Sequence, residues 1–354
     1  MNKENKVVYL SLLASSAQIL ESFFPHPLPA ARLGLANMIS LLAMVRYGFE
    51  TALTVAILRT VLSALYLGTF MSISFFLSFF SAIVSTFGMY LVYLFSQKTF
   101  LKFSLLGISI SGAVLHNFTQ LCIVYLFFIP QKNIFLFTPL LVFLGLISGS
   151  ITGWLSLKTV KYFYVEGNEF KKNQNETIEI FDNEEIVIQH WLSKVVIFAA
   201  LIFVFFTKNI FLQSGMFFLC FLFHLFKKNV KSLFVAIKKI VWLVVFLFLL
   251  SIIFVRTGKK FLDFKPITFT IDGLIIGIVY SLRLINIVAL SNIVVGLFSK
   301  KEMFLLVKKF LGKKMSKIFV LSFYILPDFI DELKKKLRKI ASFKDIPKFI
   351  AEYL

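Results

Sequence analysis

Glu21-Ser22-Phe23-Phe24-Pro25-His26-Pro27-Leu28-Pro29-Ala30-Ala31-Arg32-Leu33-Gly34-Leu35-Ala36-Asn37 joins the first two apolar runs of the chain and decides how both are read. Pro25, Pro27 and Pro29 forbid a regular helix through it, because each lacks an N–H and restrains the residue before it. The flanking runs approach the roughly 20 apolar residues that a membrane span needs. Backbone left unpaired at that depth must face water, protein or a ligand. The stretch thus sets an acid (Glu21), an imidazole (His26), a guanidinium (Arg32) and an amide (Asn37) along one polar lip at a membrane edge. Two readings stay open: a ligand site, or a turn with ordinary interfacial residues.

Composition supports the membrane half of that reading. Apolar residues fill 58% of 354 positions, and Phe alone supplies 46. A soluble domain cannot hide that much apolar surface, whereas a bilayer accepts it. The first run contains Gln18 and Glu21 and ends in prolines without a small-residue cleavage site, which argues against a cleavable signal peptide. Cys122 and Cys220 both lie inside apolar runs and fit no metal spacing, and no disulfide framework is implied. The net charge of +20 reads as topology and not as a nucleic-acid footprint, since Lys and Arg collect between apolar runs.

Working outward, the first half offers six candidate spans, at 7–24, 30–46, 51–67, 71–96, 104–128 and 134–157. Lys3 and Lys6, Arg46, Lys98 and Lys102, and Lys158 and Lys161 occupy alternate connections, while the others hold little beyond Arg32 and Lys132. That bias places the amino end in the cytoplasm, in a multi-pass protein of the cell inner (cytoplasmic) membrane. Residues 163–190 are polar and acidic and read as a hydrated cytoplasmic linker between membrane domains at 1–162 and 191–354. Roughly four further spans are expected, at 192–207, 209–226, 240–256 and 272–298. Beyond them, 303–311 and 318–340 are amphipathic at helical spacing, with Leu326, Phe329, Ile330 and Leu333 on one face. The apolar run from Ile318 is interrupted by Pro327-Asp328, so these segments are expected on the cytoplasmic face or docked on a partner.

The polar residues inside the spans are the remaining site candidates, because burying such groups is costly. His116, Asn117 and Gln120 share the fifth span, with His116 and Gln120 four apart on one helix face. Gly112, one turn below, would leave room beside them. The trio either lines a substrate pocket or simply bridges helices. Arg59, midway along the third span, reads as a structural counter-ion to Glu21. Small residues at Ser11, Ser15, Gly145, Gly149 and Gly153 read as helix contact surfaces. No phosphate-binding loop, nucleophile elbow, paired-carboxylate site or zinc motif occurs. The chain is therefore expected to be no enzyme and to carry no cofactor or metal.

Several short motifs recur in order: Glu21 with Pro25-His26-Pro27, Leu33-Gly34-Leu35-Ala36-Asn37, Leu58-Arg59, Gly68-Thr69-Phe70, Ser109, Gly112-Ala113, and His116-Asn117-Phe118-Thr119-Gln120. On these, residues 7–160 resemble the Gx transporter family, also labelled heptaprenyl diphosphate synthase component I. The resemblance implies a six-helix module similar to the substrate-binding S components of energy-coupling factor (ECF) vitamin transporters. Glu21, His26, Arg32, Asn37, His116, Asn117 and Gln120 would bind the substrate. More weakly, Ser281-Leu282-Arg283 and Leu321-Ser322-Phe323-Tyr324-Ile325-Leu326-Pro327-Asp328 resemble the T component of the same transporters. There, amphipathic coupling helices press on ABC-type ATPases through Ala-Arg-Gly motifs, for which Leu337-Arg338-Lys339 is the nearest stand-in here.

The expected protein is thus an all-α integral membrane protein: a six-helix S-like bundle, a T-like module of about four spans, and cytoplasmic amphipathic helices. Arg59, Arg283, Pro327, Asp328 and Arg338 would be structural or coupling residues. Small-molecule uptake would draw ATP only through partner ATPase subunits. The synthase label calls for Asp-Asp-x-x-Asp motifs that hold magnesium against diphosphate, and none is present. The competing reading is a non-catalytic membrane scaffold for a prenyl diphosphate synthase or a flavin-dependent redox complex.

Overall fold

The computed structural model describes residues 3–23, 34–67, 69–70, 72–98, 102–127, 132–160, 191–255, 257–264, 267–297, 300–337, 347 and 350. His26, Arg32, the three prolines of the lip, the 163–190 linker and Arg338 lie outside them.

Each apolar run of the first half becomes a helix: α1 (Lys3–Phe23), α2 (Leu35–Tyr47), α3 (Phe49–Leu67), α4 (Ile73–Lys98), α5 (Leu105–Phe127) and, after a 3-10 turn at Lys132–Phe137, α6 (Thr138–Val160). Four of the six expected spans (α3, α4, α5 and α6) are long and apolar enough to cross a membrane. The other two depart for identifiable reasons. α1 carries Glu4, Lys6 and Glu21, while α2 has 13 residues. At 1.5 Å per residue α2 spans about 20 Å, short of a bilayer core of roughly 30 Å. Gly48 ends α2 at φ 88°, a conformation that costs glycine little, and α3 begins at the next residue.

The second half contains α7 (Trp191–Phe206), α8 (Ile210–Phe226), α9 (Val230–Phe254), β1 (Lys260–Phe264), β2 (Ile267–Thr270), α10 (Ile271–Leu297) and α11 (Lys300–Leu337). Here the four-span expectation is corrected. Of these helices α10 alone is long and apolar enough as it stands, and α9 joins it if its two arms, bent by 54°, make one span. α7 and α8 are apolar but have only 16 and 17 residues. The β1–β2 antiparallel hairpin was not anticipated, and it makes the protein mostly rather than wholly helical.

Two packing features position the site. First, α5 and α6 meet along Gly145, Gly149 and Gly153. A Cβ added to Gly149 would stand 2.6 Å from Ile110 Cα, and one on Gly153 would stand 2.7 Å from Leu106 Cα. With so little lateral room, the backbones approach closely and the Ser109 and Thr152 hydroxyls meet at 2.8 Å. Second, α11 runs unbroken through Pro327, so the two amphipathic segments belong to one 38-residue helix. Leu326, Phe329, Ile330 and Leu333 are all buried, in one core cluster with Val7, Leu10, Ala14 and Leu58 of α1 and α3. Pro327 and Asp328 point away from that core and are exposed, so the amide that Pro327 lacks is missing on the outer face. The docking partner of this apolar face is the chain's own first helix.

A second cluster joins Leu121, Ile134 and Leu141 of the first half to Leu201, Val204, Leu284, Ile287 and Leu290 of the second. The two halves are thereby packed together at two places.

Candidate functional site

Where α1, α2, α3, α5 and α6 converge, a polar cleft opens, with an empty volume of about 540 Å³ including its mouth. α1 contributes Gln18 and Glu21, three apart and so on one face. Asn37 comes from the first turn of α2, Arg59 and Thr60 from the middle of α3, and His116 and Asn117 from α5. Ser148 and Thr152 close the α6 side, and Ser78 comes from α4.

Its two charged side chains are held from both ends. Glu21 is 3% exposed, and its Oε1 accepts the backbone N–H of Leu35 at 2.5 Å. A carboxylate from α1 therefore caps the amino end of α2, where free amides and the helix dipole favour negative charge. Gly34 supports the turn with φ 80°, in the left-handed region. Arg59, also 3% exposed, donates from Nη2 to Asn37 Oδ1. The sequence assigned Arg59 to structure, yet it stands in the lining beside Asn37.

The α5 trio divides. His116 and Asn117 line the cleft, while Gln120, 4% exposed, is one turn further on and outside the lining. The Gln120 side-chain amide lies 3.1 Å from His116 Nε2, in hydrogen-bond contact along the helix face that the two share. Asn117 Nδ2 donates to the Leu141 carbonyl at 2.9 Å and so also ties α5 to α6. The room expected beside Gly112 is taken: Met89 of α4 fills it, with Cγ 2.5 Å from where a Cβ would lie.

Gln18 is the lining residue that sequence reasoning passed over. It is 9% exposed, and its Oε1 is buried with no hydrogen-bond partner among the described residues. Its signal was present in the sequence, as an amide in an apolar run three residues before Glu21. The hydroxyls of Thr60, Ser78, Ser148 and Thr152 were unreadable, since small hydroxyls in helices usually bond their own backbone, as Thr152 does to Ser148 at 2.9 Å.

The coupling candidates lie elsewhere. Arg283 on α10 is 3% exposed and donates to the Phe127 carbonyl at 2.8 Å and to the Thr207 carbonyl at 2.6 Å. It therefore bridges the end of α5 to the break between α7 and α8. Pro327 and Asp328 are exposed on α11. Among the described residues no three His, Cys, Asp or Glu side chains gather in a group that could hold a metal ion.

The cleft can hydrogen-bond a polar molecule from several helices at once, within an apolar helical frame long enough to cross a membrane. No curated protein and no solved structure matches the chain. Residues 10–159, which contain every described residue of the cleft, match the family described as heptaprenyl diphosphate synthase component I.

Proposed function

We propose that this chain is an ECF-type uptake protein, in which an S-like module captures a small organic substrate and a T-like module fused to it drives release. One observation carries the reading: a polar cleft fed by separate helices inside an apolar membrane bundle. Glu21, Asn37, Arg59, His116 and Asn117 border that cleft, and the Pro25–Pro29 lip with His26 and Arg32 follows α1 directly in sequence. Gln120 acts one step back, by orienting His116. The seating of α11 on α1 supports the coupling half of the reading, since a movement of α11 would be transmitted to the helix that bears Gln18 and Glu21.

ABC-type ATPases would engage the exposed side of α11, around Tyr324, Pro327 and Asp328 and onward toward Arg338. The amino end is placed in the cytoplasm, on the charge bias of the first half.

The test is affinity purification of the full chain from native membranes, with ATPase subunits identified by mass spectrometry. Co-purifying ABC-type ATPases, and ATP-dependent uptake of a solute that the purified chain retains, are the expected results. A second reading, a non-catalytic scaffold, is favoured by the description of the matching family. Recovery of a prenyl diphosphate synthase or a flavoprotein without ATPases would decide for it.

A further inference from the structure

Among the described residues, the lining of the cleft lacks the side chains that this chain has in greatest supply. The protein contains 46 Phe and is 17% aromatic, yet the imidazole of His116 is the one ring among the described lining residues. No Leu, Ile, Val or Met is among them either; Gly34, Ala36 and Ala113 are its apolar members. The rest is hydrogen-bonding surface. Thr60, Ser78, Ser109, Ser148 and Thr152 bring hydroxyls, and Gln18, Asn37 and Asn117 bring amides. The formal charges of Glu21 and Arg59 are opposite in sign.

Such a lining discriminates against flat rings and prenyl chains. Planar ligands are gripped by stacking on aromatic side chains, and among the described lining residues no Phe, Tyr or Trp stands ready to do so. A prenyl chain would find no Leu, Ile, Val or Met among the described lining residues to pack on, and would leave the Gln18 acceptor unpaired at about 1–3 kcal/mol. Gln18 adds a positive requirement, because its buried Oε1 has no partner among the described residues. An acceptor in that state is satisfied by an O–H or N–H on the occupant. The empty volume of about 540 Å³ includes the mouth and so bounds the occupant from above.

We infer that the cleft takes a compact, non-aromatic solute bearing hydroxyl or amide donors, one of which is received by Gln18 Oε1, and that ring vitamins and isoprenoids are rejected. This rests on the uptake reading and narrows its substrate class.

The experiment compares the full-length wild type with Gln18→Leu, which removes the acceptor, and Ala113→Leu, which fills the cleft. All three are extracted from cells into lipid-polymer discs without detergent, matched for elution and thermal stability, and denatured for untargeted mass spectrometry of released small molecules. The expected result is a non-aromatic, hydroxyl- or amide-bearing solute held by the wild type and depleted about tenfold in both variants, as loss of a buried hydrogen bond or of space implies. An aromatic or prenyl molecule depleted in both variants would overturn the substrate class and leave the uptake reading standing. A wild-type extract indistinguishable from both variants' would overturn the two together. A variant that unfolds is replaced by Ser78→Val, which puts an apolar group on the α4 wall and is read in the same way.

Discussion

Glu21 and Leu35 are joined across the proline-rich stretch: the carboxylate of one accepts the backbone N–H of the other at 2.5 Å. The start of α2, with Asn37 in its first turn, is thereby fixed against α1. Glu21→Ala should cost about 2–3 kcal/mol, as a charged hydrogen bond is lost and a helix end is left open. Glu21→Gln keeps an acceptor without the charge and should cost roughly half as much. Thermal unfolding of the purified variants, followed by size-exclusion chromatography, ranks them. Equal stability of wild type and Glu21→Ala would show that this cap does not hold α2.

The Gly149 seam is the next point of leverage. A side chain there meets the Ile110 backbone, which cannot turn aside as a flexible side chain could. Gly149→Leu should therefore cost about 3 kcal/mol or more, at the upper end for overpacking. The Ser109–Thr152 and Asn117–Leu141 bonds cross the same seam, so solute retention should fall with stability. Gly215 on α8 is the control, since a Cβ there meets nothing within 4 Å. Gly215→Ala should be neutral or stabilise by up to about 1 kcal/mol, through helix propensity. If the two substitutions behave alike, the close approach of α5 and α6 is not what holds that wall.

Much of this arrangement was legible in the residues. The spans of the first half were readable because a bilayer demands long apolar runs, and 51–67 differs from α3 by only two residues at its start. Glu21, Asn37, His116 and Asn117 stood out as polar groups in such runs. What could not be read is whatever depends on partners distant in sequence. Nothing in Leu326 or Phe329 names α1 as the surface they cover, and nothing in Arg59, read as a counter-ion to Glu21, marks Asn37 as the acceptor it reaches. Gly112 misled because a glycine is read as space, and only the fold shows Met89 filling it. The β1–β2 hairpin escaped for a different reason: it lies between the expected spans 240–256 and 272–298, and a short strand pair has no long periodicity to reveal it.

Phe329 and Pro327 separate the buried face of α11 from its exposed one. Phe329 is 2% exposed in the cluster shared with α1 and α3, so Phe329→Ala should cost about 3–5 kcal/mol. Pro327 lies two residues away on the outer side, where it deprives the helix of one amide. Pro327→Ala should restore that hydrogen bond and raise stability, by up to about 3 kcal/mol if the helix can straighten. The informative result is the pairing of stability with uptake. A Pro327→Ala protein that unfolds later but transports more slowly would show that the amide missing at this residue serves the movement of α11. Unchanged uptake would reduce Pro327 to a tolerated defect on an exposed face.

Arg283 offers the sharpest test of how the halves communicate. Its guanidinium meets two backbone carbonyls that local structure leaves available: Phe127 at the end of α5, and Thr207 at the α7–α8 break. Gln213 Nε2 donates to the same Thr207 carbonyl at 2.9 Å, and Asn286 of α10 donates to Gln213 Oε1 at 2.8 Å, so the break is braced from α8 and α10 together. Further along α10, Ser291 donates to the Phe70 carbonyl in the α3–α4 connection. α10 therefore grips the first half by main-chain atoms at two connections, and any tilt of one half against the other must release them. Lysine carries the same charge but not the fork that spans two carbonyls. Arg283→Lys should lose one of two charge-assisted bonds, about 1.5–3 kcal/mol. Hydrogen–deuterium exchange at the end of α5 should then rise by about tenfold or more, while the middle of α3 around Arg59 stays protected. Ser291→Ala, which removes a single hydroxyl, should loosen the α3–α4 connection and spare α5. Exchange at 121–127 that is unchanged in Arg283→Lys would mean that apolar packing around Leu121 and Leu284, not the guanidinium, joins the two halves.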